Sequence, residues 1–147
     1  MTTIAYKDGV IAYDSRITFG TIIETDTYEK LVEREGVKFV LTGATADFSR
    51  LIECFFGAKH RNVDCSAIAF DGQAMWCVGH NNRDGFWKTP LSHSSVYAMG
   101  SGMPHALTAM DMGATAAEAI EMAKKRDTCT GGKVRTVVIR EEGAPRG

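Results

Sequence analysis

A threonine stands directly behind the initiator methionine, in the opening stretch MTTIAYKDGVIAYDSR. If Met1 is removed, Thr2 carries a hydroxyl and a free α-amine on one residue, a nucleophile and its own base. A hydroxyl attacks poorly until a base takes its proton. An α-amine, with a pKa of roughly 7.7–8.0, is partly neutral near pH 7 and can be that base, directly or through one water. Taken alone, the same stretch also reads as an ordinary N-terminal edge strand.

Other residue types that commonly carry chemistry are less well arranged. Cys54, Cys65, Cys77 and Cys129 contain no C-x-x-C pair, which fits free thiols in a reducing cytoplasm better than a disulfide framework or a zinc site. His60, His80, His93 and His105 form neither H-x₃-H nor H-E-x-x-H, so no metal is expected. Gly100-Ser101-Gly102 opens like a phosphate-binding G-x-G-x-x-G, but His105 stands where the third glycine belongs. No acidic residue closes a following strand, so no nucleotide cofactor is expected.

The elements that must position these residues follow from pattern. Short strands are expected over 2–7, 9–14, about 21–25, about 28–34 and 37–42, with Lys7-Asp8-Gly9 as a hairpin turn. Phe48, Leu51, Ile52, Phe55 and Phe56 then fall at i, i+3, i+4, i+7 and i+8, one apolar helix stripe ending at Gly57, with Thr45 or Asp47 available as cap. CSAIAFDGQAMWCVG reads as two strands joined through Asp71-Gly72, and SSVYAMG as another. Two helices follow. One opens at Pro104, and the other at Thr115 with Glu118 completing a capping box, before a final strand in KVRTVVIR. This order predicts an α+β fold, two packed sheets between helical layers.

At 147 residues the chain reads as one domain over 1–140, with a flexible tail over 141–147 rich in Gly, Pro and charge. Its 44% hydrophobic and 24% charged residues are ordinary for a globular chain. A net charge of −1 gives no electrostatic reason to expect nucleic acid or an acidic membrane as partner. No apolar run is long enough to span a bilayer, and no segment has the layout of a signal peptide.

Five stretches, TTIAYKDGVIAYDSR, YEKLVE, VLTGATAD, AMGSGMPHAL and KRDTCTGG, occur in the order and setting of proteasome β-subunits and the HslV peptidase. The chain resembles that N-terminal-nucleophile hydrolase family from Thr2 to about Arg140. The resemblance implies a threonine-type endopeptidase with a four-layer αββα sandwich. Thr2 matches the nucleophile, Asp14 the aspartate closing the second strand, and Lys30 the lysine beside the nucleophile. Gly43 matches the glycine whose N–H forms the oxyanion hole. Ser101, Asp127 and Thr130 match the groups that frame the α-amine, although serine is commoner where Thr130 stands. Ile17, Tyr28, Val32, Leu41 and Thr45 match positions lining the first specificity pocket, which implies apolar residues before the cleaved bond.

These roles are physically coherent. A Lys30 ammonium disfavours protonation of a nearby amine, and Asp14 holds that lysine charged and oriented. One oxyanion donor such as the Gly43 amide contributes roughly 3–4 kcal/mol. Individually, Asp14 could be a turn residue, Lys30 a solvated strand lysine and Gly43 a tight turn; the set carries the reading. Only AKHRNVDC separates Gly57 from the strand beginning near Ser66, where the family usually has a second long helix. That helix is therefore expected to be shortened or missing, together with a surface used between stacked rings. The resemblance further implies polypeptide substrates, a homo-oligomeric ring and an ATP-dependent unfoldase on another chain, since no G-x-x-x-x-G-K-[ST] loop is present here. The competing expectation is a non-catalytic structural or assembly protein that keeps the fold with Met1 in place.

Overall fold

The first strand alternates large and small side chains: Ile4 and Tyr6 share one face, Ala5 lies on the other, and all three are fully buried. The computed structural model describes residues 2–139. In chain order it has strands β1 (Thr3–Lys7), β2 (Val10–Tyr13), β3 (Ile17–Phe19), β4 (Ile22–Thr25), β5 (Leu31–Arg34) and β6 (Val37–Gly43). A 3-10 turn at Thr45–Asp47 leads into helix α1 (Phe48–Phe55), followed by β7 (Cys65–Phe70), β8 (Met75–Asn81), β9 (Gly85–Leu91) and β10 (Tyr97–Gly100). Helices α2 (Met103–Asp111) and α3 (Ala116–Lys124) precede β11 (Arg135–Val138).

The strands form a four-stranded antiparallel sheet ordered β10-β1-β2-β11, a five-stranded antiparallel meander β5-β6-β7-β8-β9, and the separate hairpin β3-β4. Asp8 and Gly9 both have positive φ, as a two-residue hairpin with the natural strand twist requires. Between the two large sheets lie Ile4, Tyr6, Ile11 and Tyr13 from one side and Val40, Ile68 and Cys77 from the other. The opposite face of the four-stranded sheet is small: Ala5, Ala12 and Ala98 meet Ala106, Met110, Ala119 and Ile120 of α2 and α3. Alanines on both surfaces let the helices lie close, so packing density rather than bulk holds this layer. On the far side Phe39, Leu41, Ala67 and Val78 of the meander receive Phe48, Leu51 and Ile52 of α1.

The result is the expected α+β arrangement of helices, sheet, sheet and helix, with one outer layer reduced to α1 alone among the described residues. Where a second helix is absent, the meander is covered by side chains instead. Lys88 Nζ lies 4.5 Å from the Phe55 ring centroid and 4.2 Å from that of Trp76, and Phe39 packs edge-on against Phe55. No helix among the described residues is long and apolar enough to cross a membrane.

Several local details differ from the sequence expectations. β9 carries Pro90 and polar neighbours, a pattern tolerated because it is the edge of the meander. β3 is three residues long and shows no periodicity to read. Neither Thr45 nor Asp47 caps α1 through its side chain. The Asp47 carboxylate instead accepts the Asp64 N–H at 2.9 Å and pairs with Arg50, anchoring the 57–64 connection. The capping box at Thr115 and Glu118 does form. The expectations of Met1 removal and of a flexible 141–147 tail concern residues outside those described.

Candidate active site

Lys30 is the most unusual residue of the fold, a lysine with no exposed side-chain surface. A buried ammonium is tolerated only when paired and hydrogen-bonded. Its Nζ donates to Asp14 Oδ1 at 2.7 Å and to the Thr2 hydroxyl. Asp14, also fully buried, accepts the Thr3 N–H on Oδ1 at 3.3 Å, and on Oδ2 the N–H groups of Gly131 at 2.9 Å and Arg16 at 3.4 Å. Burial pushes the Lys30 pKa down, and the Asp14 carboxylate opposes that shift without cancelling it. A lysine so poised can exchange a proton with the hydroxyl beside it.

The fold explains this convergence. Asp14 follows the last residue of β2 and Lys30 precedes the first of β5, so the pair joins the two large sheets at one end. Thr2 precedes β1, the strand next to β2, and its carbonyl accepts the Ser101 N–H at 2.9 Å from beyond β10. Gly100 has φ +97°, and a Cβ there would run into the Thr2 carbonyl. Only glycine lets the two segments approach this closely.

A second carboxylate gathers the hydroxyls. Asp127 Oδ2 accepts Ser101 Oγ and Thr130 Oγ1, each at 2.6 Å, and Asp127 Oδ1 accepts the Cys129 N–H at 3.1 Å. Thr130 Oγ1 is in turn 2.6 Å from Thr3 Oγ1. Burial raises the Asp127 pKa, but the hydrogen bonds from Ser101, Thr130 and Cys129 outweigh it and leave the carboxyl below its ordinary range.

Gly43 ends β6 with φ +112°, and a Cβ would sit 2.7 Å from Cys65 Cα and 2.8 Å from the Asp64 carbonyl oxygen. With Thr2 it borders a cleft of about 360 Å³, walled by Ile17, Thr18 and Phe19 on one side and by Ala44, Thr45 and Ala46 on the other. Ile17 and Thr45 of the expected substrate positions thus face the cleft. The other three lie elsewhere: Leu41 is fully buried under α1, Val32 packs against that same core, and Tyr28 is exposed at the surface. Leu41 alternates with the inward-facing Val40 and Thr42 along β6, which turns it toward the helix.

Two positioning groups have no sequence signal. Arg16 donates from Nε and Nη2 to the Asp26 carboxylate at 2.8 and 3.2 Å, and from Nη1 to the Thr128 carbonyl at 3.0 Å. It thereby locks the base of the β3-β4 hairpin to the Asp127 loop. Glu29 accepts Tyr13 Oη at 2.7 Å, the Leu31 N–H at 2.9 Å and Arg135 Nη1 at 2.8 Å. Tyr13–Glu29 therefore runs alongside Asp14–Lys30, a second tie between the same two segments. Among the described residues no group of three or more His, Cys, Asp or Glu side chains is arranged to hold a metal.

The layering of two antiparallel sheets between helices is the fold shared by several solved structures, an HslV among them. Thiobacillus denitrificans BPH in complex with Epoxomicin matches with TM-score 0.68 at 18% identity, over 92% of this chain and 96% of that one. The structure of Thiobacillus denitrificans BPH by itself matches with TM-score 0.66 at 19% identity, over 92% and 95% of the two chains. The eukaryotic HslV of Trypanosoma brucei matches with TM-score 0.67 at 17% identity, over 92% of this chain and 97% of that one. No protein-family model matches the chain, and no curated protein matches its sequence.

Proposed function

We propose that the chain is a threonine peptidase whose nucleophile is Thr2 Oγ1, made competent by removal of Met1. The observation that carries this reading is the Thr2 hydroxyl held against Lys30 Nζ, within a fully buried Lys30–Asp14 pair, at the edge of the Gly43 cleft. In the proposed reaction Thr2 Oγ1 attacks the scissile carbonyl carbon, and its proton passes to the freed α-amine. The oxyanion is received by the Gly43 N–H. Collapse breaks the C–N bond, the leaving amine takes the proton, and water then hydrolyses the Thr2 ester. Asp14 and Lys30 set the proton affinities, while Ser101, Asp127 and Thr130 orient the amine. Ile17 gives the cleft an apolar wall against which a substrate side chain can lie.

A structural or assembly role offers no reason to bury Lys30 against a hydroxyl, so the peptidase reading stands first. The compartment proposed is the cytoplasm, consistent with four free cysteines. A homo-oligomeric ring fed by a separate ATP-dependent unfoldase would keep such a site away from folded proteins. The test is mass spectrometry of the native protein before and after epoxomicin, the compound bound in the matching Thiobacillus denitrificans BPH structure. Loss of one methionine and one adduct on Thr2, both the adduct and peptide turnover absent in Thr2→Ala, is the expected result. A fully retained Met1, or Thr2→Ala turnover equal to wild type, overturns it.

A further inference from the structure

Thr18 pairs with Ile23 while Ile17 pairs with Thr25, which leaves Glu24 as an extra residue in β4. Such bulges bend a strand and re-aim a side chain, often beside a functional site. Here the bulge brings Glu24 into the wall of the Thr2 cleft.

The charges around that cleft are otherwise matched. Arg16 is paired with Asp26 and Lys30 with Asp14, and Asp127 is hydrogen-bonded by Ser101, Thr130 and the Cys129 N–H. Glu24 is exposed and, among the described residues, has neither ion pair nor hydrogen bond. One uncompensated carboxylate therefore lines a cleft whose other walls are Ile17, Phe19, the Asp26-paired Arg16, and small or hydroxyl-bearing residues.

We infer that Glu24 selects polypeptide substrates bearing a lysine or arginine side chain next to the cleaved bond, the cationic end resting on the Glu24 carboxylate and the aliphatic stem on the apolar wall. This rests on the peptidase reading above and adds the substrate class. Long cationic side chains suit such a site because their stems cover apolar surface while the head stays wet. Exposure limits the effect: a surface pair supports a preference of about fivefold, and salt weakens it.

The experiment uses fluorogenic peptides in which lysine or norleucine is stepped through the positions flanking the bond. At low salt one position is expected to favour lysine about fivefold in kcat/KM. Glu24→Gln should bring that ratio to about one and Glu24→Lys should invert it, whereas Glu35→Gln, on the remote β5-β6 turn, leaves it in place. Binding of the same peptides to Thr2→Ala, followed by anisotropy, separates the two readings. A Glu24-dependent lysine preference in binding without hydrolysis by wild type upholds this inference and removes the peptidase reading. Hydrolysis, or binding, with no lysine preference that Glu24→Gln removes overturns the inference.

Discussion

Lys30 and Asp14 form an ion pair 2.7 Å long in which neither side chain has any exposed surface. A pair of this kind contributes little net stability, because desolvation of both ions offsets their attraction. Breaking it by removing one partner strands a buried charge.

Lys30→Ala and Asp14→Asn are therefore expected to act twice. Each lowers turnover by about two to four orders of magnitude, as losses of proton-handling groups do. The sequence alone suggests that both residues tune protonation with the fold intact. Their complete burial adds a stability loss of about 3–5 kcal/mol, the usual cost of orphaning one ion of a buried pair. Urea melts and kcat on the surviving folded fraction separate the two effects. A Lys30→Ala protein as stable and as active as wild type would remove Lys30 from the site.

Gly43→Ala tests the oxyanion segment. A Cβ at φ +112° collides with the backbone of Asp64 and Cys65, so the end of β6 must shift. Loss of one oxyanion donor costs about 10²–10³ in kcat, and a donor shifted out of line is lost in the same sense. We expect activity to fall by that order with KM changed little, and chain melting to drop by a few degrees in a thermal scan. Full turnover in a folded Gly43→Ala protein would show that the Gly43 amide is not the donor.

Asp127 supplies a pH test with a fixed sign. Its carboxyl is held below the ordinary value of 3.8, so the folded state keeps it ionised after the unfolded chain has taken up a proton. The stability it contributes is complete above about pH 5 and is lost as pH falls through and below 3.8. Asp127→Asn should be less stable than wild type at pH 6, with the gap closing towards pH 3. A gap that is constant with pH would mean that Asp127 acts only through its shape.

Much of this was legible in the sequence because it rests on local pattern. Alternation in IAY and IAY gave the two inner strands, and Thr115 with Glu118 gave the start of α3. Gly43 was readable as a turn glycine, but its close approach to Cys65, like that of Gly100 to Thr2, belongs to the tertiary fold. The substrate wall was harder. Leu41 and Val40 are both apolar, and only tertiary packing decides that Leu41 turns onto α1 while Val40 enters the core between the sheets, so that neither lines the cleft. Arg16, Glu24 and Glu29 carried no signal because their meaning depends on partners set by tertiary contact. Arg16 needs the hairpin to bring Asp26 to it, Glu24 needs a one-residue register shift, and Glu29 needs Arg135 from the last strand.

The carboxylate of Asp14 is completed by the Gly131 N–H, and Thr3 meets Thr130 across 127 residues of sequence. Both partners lie just before β11, which must dock against β2 to hold them there. On a ribosome, residues 2–30 emerge early with Thr2, Asp14 and Lys30 among them, yet their hydrogen-bond acceptors and donors from 127–131 are still to be translated. Contacts of such separation form late because the loop they close is long. In the proposed peptidase the timing of synthesis thus acts as a safety interlock: a half-made chain carries Thr2 without the frame that would orient it, and cutting power would arrive only once β11 docks.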